Sequence, residues 1–221
     1  MLRGKGNDGE GQGINNLILA IRAQGVSDER VIEAFRIVRR ADFVPPELAG
    51  SAYEDLPLPI AHFQVTTQPS LVAKMVEALE LEQADHALEV GAGLGFQAAI
   101  ISRLCERVVS VERFPDLARA ARENLSKAGI TNALVIVGDG TMGAPEYAPF
   151  QAIIGAAAAP QVPAPLVEQL AEGGRLVLPI GPGGNEDVTL FRKEEGRLVR
   201  LASVVPASFV RMVGRCGHPC D

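Results

Sequence analysis

Glu89-Val90-Gly91-Ala92-Gly93-Leu94-Gly95 decides how this chain is read. The run Ala87-Leu88-Glu89-Val90 reads as a short strand that stops at Gly91, and a helix is expected over residues 97–104. A strand that ends in closely spaced glycines and feeds a helix is the setting of a nucleotide-binding turn. Glycine permits the tight reversal and lets a ligand reach the main chain. The same alternation continues outward. Further strands are expected at 108–111, 133–137, 150–156 and 174–180, with a helix over 116–128. Runs this apolar, separated by helices, indicate a parallel sheet covered on both faces. Residues 188–191 and 198–205, joined through Glu194-Glu195-Gly196, read as an antiparallel hairpin. The expected fold is α/β: a Rossmann-like, mostly parallel doubly wound sheet with a C-terminal antiparallel hairpin and an N-terminal helical extension.

The glycine spacing is G-x-G-x-G, and the third glycine of the dinucleotide fingerprint is replaced by Phe96. That glycine packs helix on strand beside a pyrophosphate. S-adenosyl-L-methionine carries no phosphate, so it needs close main-chain approach without an anion cradle, and the spacing favours it over NAD. Glu112 ends the second strand, about 20 residues after the first glycine, where a carboxylate accepts ribose hydroxyls. Asp139, in Gly138-Asp139-Gly140, follows the third strand, where a carboxylate can take an adenine amino group. Singly, each glycine makes a turn and each acid solvates a loop end. Together they mark the carboxyl edge of an open sheet, where ligands bind.

Composition narrows the classes. The chain has 221 residues, 47% of them hydrophobic, and a net charge of −6. No Lys/Arg run exceeds two residues, which disfavours nucleic acid as a partner. No apolar stretch approaches the ~20 residues of a membrane span, and no signal peptide is visible. Three sparse cysteines suggest no disulfide framework and a reducing cytoplasm. Residues 1–13, glycine-rich and polar, read as a disordered leader. Residues 14–81 read as N-terminal helices and a loop: a helix over 14–23, a second capped by Ser27, and a third beginning near Pro69. Residues 82–214 form the expected core and 215–221 a tail. Cys216-Gly217-His218-Pro219-Cys220 lacks the paired spacing of structural zinc sites and reads as frayed. Cys105 reads as a small core hydrophobe.

From about residue 31 to 214 the chain resembles the protein-L-isoaspartate O-methyltransferases, with every block in the family's order. Asp42-Phe43-Val44-Pro45 and Ala52-Tyr53-Glu54-Asp55 through Pro57-Leu58-Pro59-Ile60 resemble the family's entry motif. Gln64-Val65-Thr66-Thr67-Gln68-Pro69 is similar to its Q-T-I-S-Q-P segment. Leu88 to Ala99 resembles L-E-I-G-T-G-S-G-Y-Q-A-A. Ser110-Val111-Glu112-Arg113, Gly138-Asp139-Gly140, Ala157-Ala158-Ala159-Pro160 and Gly173 to Gly181 complete the likeness.

The resemblance implies a class I methyltransferase fold and a carboxyl methyltransferase that acts on isoaspartyl residues of damaged proteins. It implies S-adenosyl-L-methionine held by Thr66, Thr67, Glu89, Gly91, Gly93, Gly95, Glu112, Arg113, Asp139 and Gly140. It further implies acceptor contacts at His62, Gln64, Ala157 and Pro160, and an active-site hydroxyl at Thr67 where the family has serine. A carboxylate is already a nucleophile at neutral pH, so positioning rather than a strong base is required. Thr67 could equally cap the helix at Pro69, and His62 could be a base or a solvated loop residue. One departure stands out. The family's G-x-G before Gln64 is here Ala61-His62-Phe63, and it motivates a different dedicated acceptor or a non-catalytic recognition module as alternatives.

Overall fold

The computed structural model describes residues 6–182 and 184–219, with side chains from residue 9 onward. Seven strands form the main sheet: β3 (His86–Val90), β4 (Arg107–Glu112), β5 (Ala133–Val137), β6 (Phe150–Gly155), β7 (Leu170–Ile180), β8 (Glu186–Glu194) and β9 (Arg197–Ala207). Their order is β5-β4-β3-β6-β7-β8-β9. The first five are parallel, and β7, β8 and β9 run antiparallel. A short β1–β2 ribbon (Leu58–Pro59 with Val65–Thr66) stands apart from this sheet.

Alternation along β3 sorts its side chains between two apolar layers. Ala87 faces the layer of α4 (Phe96–Ile101) and α5 (Pro115–Lys127). Leu88 and Val90 face the opposite layer, with Leu166 of α6 (Ala164–Gln169). The first layer also contains α1 (Gly6–Ala23), α2 (Glu29–Ile37) and α3 (Pro69–Ala78), through Ile21, Phe35, Met75 and their neighbours. At about 25 cal/mol per Å2, this shared burial is what holds the N-terminal helices against the sheet.

Several expectations are corrected. Residues 6–13 belong to α1 rather than to a disordered leader, while residues 1–5 lie outside the described residues. The reason is tertiary. Glu10 accepts from Arg39 Nε at 2.8 Å and from the Tyr53 hydroxyl at 2.6 Å, and Gly13 packs on the Tyr53 ring. The cap of α2 is Asp28, which accepts from the Arg30 amide, while the Ser27 hydroxyl is turned to Glu77 instead. β7 begins at Leu170, with its pairing to β6 interrupted between Leu170 and Arg175. The 216–220 segment is not frayed up to its last described residues. The His218 amide donates to Met212, and Cys216 donates its amide to Thr141 Oγ1. Cys220 lies outside the described residues. Among the described residues, no helix is long and apolar enough to cross a membrane.

Candidate active site

The chain reverses direction across the sheet between β3 and β6, and open α/β sheets bind ligands at such a switch point. A cleft opens there, lined by Gly91, Gly93 and Ala156 beyond the two strand ends. Its edge is held shut beneath by Gly91 N–H donating to Val111 and Ala156 N–H donating to Val90, both at 2.8 Å. Gly91, Gly93 and Gly95 sit at φ 95°, 54° and 94°, where L side chains are strained. Gly140 adds a steric requirement. A Cβ there would collide with Val90 Cγ1.

Glu112 is the acid on this wall, 5% exposed. Its carboxylate accepts from the Gly93 amide at 2.9 Å and the Phe114 amide at 3.0 Å. Two of roughly four lone-pair sites are used, so the group is fixed and can still accept. Val111, Leu117, Met212 and Val213 give the cleft apolar flanks. A buried carboxylate with acceptor capacity, an open main-chain turn and apolar flanks fit a ribose diol, a nearby main-chain approach and a flat base. Arg113, Gly140, Gln64 and Ala157 also line the cleft.

A second cavity adjoins the first, sharing Val65, Ala156 and Val210 as a common wall. Thr67, Ser70 and Lys74 line it on the far side. Thr67 does not cap α3. That helix takes its N-terminal bond from Asp55, whose Oδ1 accepts the Ser70 amide at 2.8 Å while Oδ2 accepts from Gln68. The Thr67 side chain is therefore left to the cavity.

Other expected residues stand elsewhere. Thr66 is 8% exposed, and its hydroxyl accepts from Arg40 at 2.9 Å, so it faces inward rather than into the cleft. Glu89 shares the face of Ala87, is fully buried, and accepts from Ser110 Oγ, its register partner on β4. Burial pushes its carboxyl up to about 7, against the Ser110 bond. Glu89 underlies the glycine turn instead of lining the cleft. Gly95 is also beneath it, in contact with Ala121 and Leu125 of α5. Asp139 accepts from the Thr141 amide and hydroxyl and from the Arg215 amide. Burial alone would raise its carboxyl, but those bonds from Arg215 and Thr141 hold it below the usual range. Pro160 is exposed and lines neither cavity. His62 stacks on Phe114 at 4.1 Å and 1° and meets both Asp116 oxygens at 2.9 Å, which makes it a fastener of the loop.

Sequence reading missed Arg40. It is 1% exposed and donates to the carbonyls of Ala52, Glu54, Leu56 and Thr67 and to the Thr66 hydroxyl. Burial lowers its pKa to about 10, with Asp55 opposing. The only local signal was an arginine three residues before the buried Phe43.

A glycine-turn cleft at the switch point of this sheet, beside a buried acid at the end of the next strand, defines the scaffold of a Rossmann-like methyltransferase. The chain matches the family Protein-L-isoaspartate(D-aspartate) O-methyltransferase (PCMT) over residues 12–217 and belongs to it. A protein-L-isoaspartate O-methyltransferase of Methanoculleus marisnigri is 49% identical over 197 residues, covering 89% of each chain. One of Myxococcus xanthus is 44% identical over 194 residues, covering 86% of this chain and 92% of that one. A solved protein-L-isoaspartate O-methyltransferase superposes with a TM-score of 0.81 at 30% identity, over 92% of this chain and 67% of that chain. A Plasmodium falciparum beta-aspartate methyltransferase in complex with S-adenosyl-L-homocysteine shares the fold, with a TM-score of 0.75 at 23% identity over 90% and 97% of the two chains.

Proposed function

We propose that this chain transfers a methyl group from S-adenosyl-L-methionine to the free carboxylate of L-isoaspartyl residues in damaged proteins and peptides. The observation that carries this reading is the pair of cavities meeting at Val65, Ala156 and Val210, one with the glycine turn and Glu112, the other with Thr67. Membership of the family supports the same reading and favours neither another acceptor nor a binding-only module.

The residues divide the work. Glu112 accepts ribose hydroxyls, Gly91 and Gly93 admit the donor to the main chain, and Gly140 keeps the turn after β5 close to Val90. The cofactor supplies a methyl group already activated on a sulfonium. With the donor bound, an acceptor carboxylate oxygen would take that methyl group, and the electron pair of the carbon–sulfur bond would stay on sulfur. No proton moves, because the acceptor is ionised well below neutral pH. The Thr67 hydroxyl donates to the acceptor and aims it, which is the positioning such a reaction needs. Arg40, acting through the 52–67 loop, is a positioning residue. Thr66, Glu89 and Gly95 support the cleft from behind, and Asp139 secures the 212–218 segment beside Gly140. His62 is held by Phe114 and Asp116, in keeping with chemistry that requires no base. The unpaired thiols of Cys105 and Cys216 suit a reducing cytoplasm.

Labelled methyl transfer to an isoaspartyl peptide, with its aspartyl twin as control, tests the reading. Base-labile label on the isoaspartyl peptide alone is expected. No label on either peptide, with donor binding intact, would overturn it.

A further inference from the structure

The tip of the β1–β2 ribbon is built unlike a passive loop. The Ile60 amide donates to the Gln64 carbonyl at 2.9 Å, closing the ribbon around Ala61-His62-Phe63. Inside that tip His62 and Phe63 both adopt left-handed backbone, at φ 60° and 57°, a conformation that costs of order 1 kcal/mol or more for a bulky residue. The strain is not repaid by packing of Phe63, whose side chain is 101% exposed. The tip is nonetheless fixed in place. His62 is stacked on Phe114 and paired with Asp116, and the Gln64 side-chain amide donates to the His62 carbonyl at 2.9 Å.

A rigid ribbon thus presents a bare phenyl ring. It does so two residues before Val65, which is 41% exposed and belongs to the wall shared by the two cavities. Leu56, 37% exposed, lies on the same acceptor segment. An isolated exposed leucine needs no explanation, but a strained, fully exposed aromatic two residues before a cavity-lining valine does.

Resting on the isoaspartyl reading above, we propose that Phe63 and Val65 form an apolar subsite for the residue flanking the isoaspartate in a peptide substrate. A peptide with its isoaspartyl carboxylate beside Thr67 would run along the wall at Val65, and so toward the ribbon tip two residues before it. An aliphatic or aromatic neighbour buries area against the ring, and a charged neighbour loses hydration there. Because the tip is already ordered, little conformational entropy is lost when the contact forms.

Steady-state methylation of two isoaspartyl peptides, identical except for leucine or glutamate beside the isoaspartate, tests this. The expected result is a kcat/KM about 10-fold higher for the leucine peptide, expressed in KM. Phe63→Gly, which suits the left-handed backbone and so keeps the ribbon, should erase the preference by raising KM for the leucine peptide. Phe63→Leu should retain most of it. Equal use of both peptides by the wild type, or a preference that survives Phe63→Gly, overturns the subsite while leaving the isoaspartyl reading in place. Methylation of neither peptide overturns that reading and the subsite with it.

Discussion

Arg40 donates from Nη2 to Thr66 Oγ1 at 2.9 Å, and through the same nitrogen to the Thr67 carbonyl at 3.4 Å. A buried guanidinium therefore holds a residue that lines the second cavity and, at once, the carbonyls of Ala52, Glu54 and Leu56. Arg40→Met should strand those acceptors. Unsatisfied buried groups cost about 1–3 kcal/mol each before relaxation, so a loss of at least about 3 kcal/mol in urea unfolding is expected. Arg40→Lys, which reaches fewer of them, should recover only part. A variant as stable as the wild type would show that the loop is held by something else.

Glu112 predicts a defect in donor binding. Glu112→Ala removes the acceptor for the ribose diol, and hydrogen bonds to charged groups are worth about 1.5–3 kcal/mol. Titration calorimetry should show donor affinity weakened about 10- to 100-fold. Unchanged affinity would remove Glu112 from the donor site.

For Thr67 the expected loss is in turnover. Thr67→Val keeps the shape and deletes the donor, so kcat should fall by about 100-fold while donor binding is retained. Thr67→Ser should remain active. A fully active valine variant would end the positioning role.

Glu89 makes a pH prediction. Burial holds its folded pKa at about 7, above the ordinary value of 4.5. A carboxyl raised on folding contributes stability that is fully present below the unfolded value and lost as pH rises through the folded one. Wild-type stability should thus fall relative to Glu89→Gln between about pH 5 and about pH 8, by at most about 3 kcal/mol. Denaturant titrations at the two pH values check this, and a difference that is flat with pH would refute it.

What sequence could disclose depended on how far each residue's partners lie along the chain. β5 was legible to the residue because its apolar run and the turns around it are local. The glycine turn and Glu112 were legible for the same reason: they end consecutive strands, and the Gly93–Glu112 bond merely closes what that order places together. Glu89 and Thr66 lie in the region expected of them, with buried side chains that do not line the cleft. Strand alternation turns Glu89 toward Ala87's layer, and Thr66 is claimed by an arginine 26 residues away. Arg40 itself left almost no trace, since its importance lies in five acceptors contributed by a loop that only tertiary structure gathers. The start of α1 was missed likewise, because Arg39 and Tyr53 reward Glu10 from outside the helix.

The shared wall of Val65, Ala156 and Val210 also ties the two cavities together. A side chain enlarged at any of the three positions would narrow both at once, whereas a change at Glu112 or at Lys74 reaches one cavity alone.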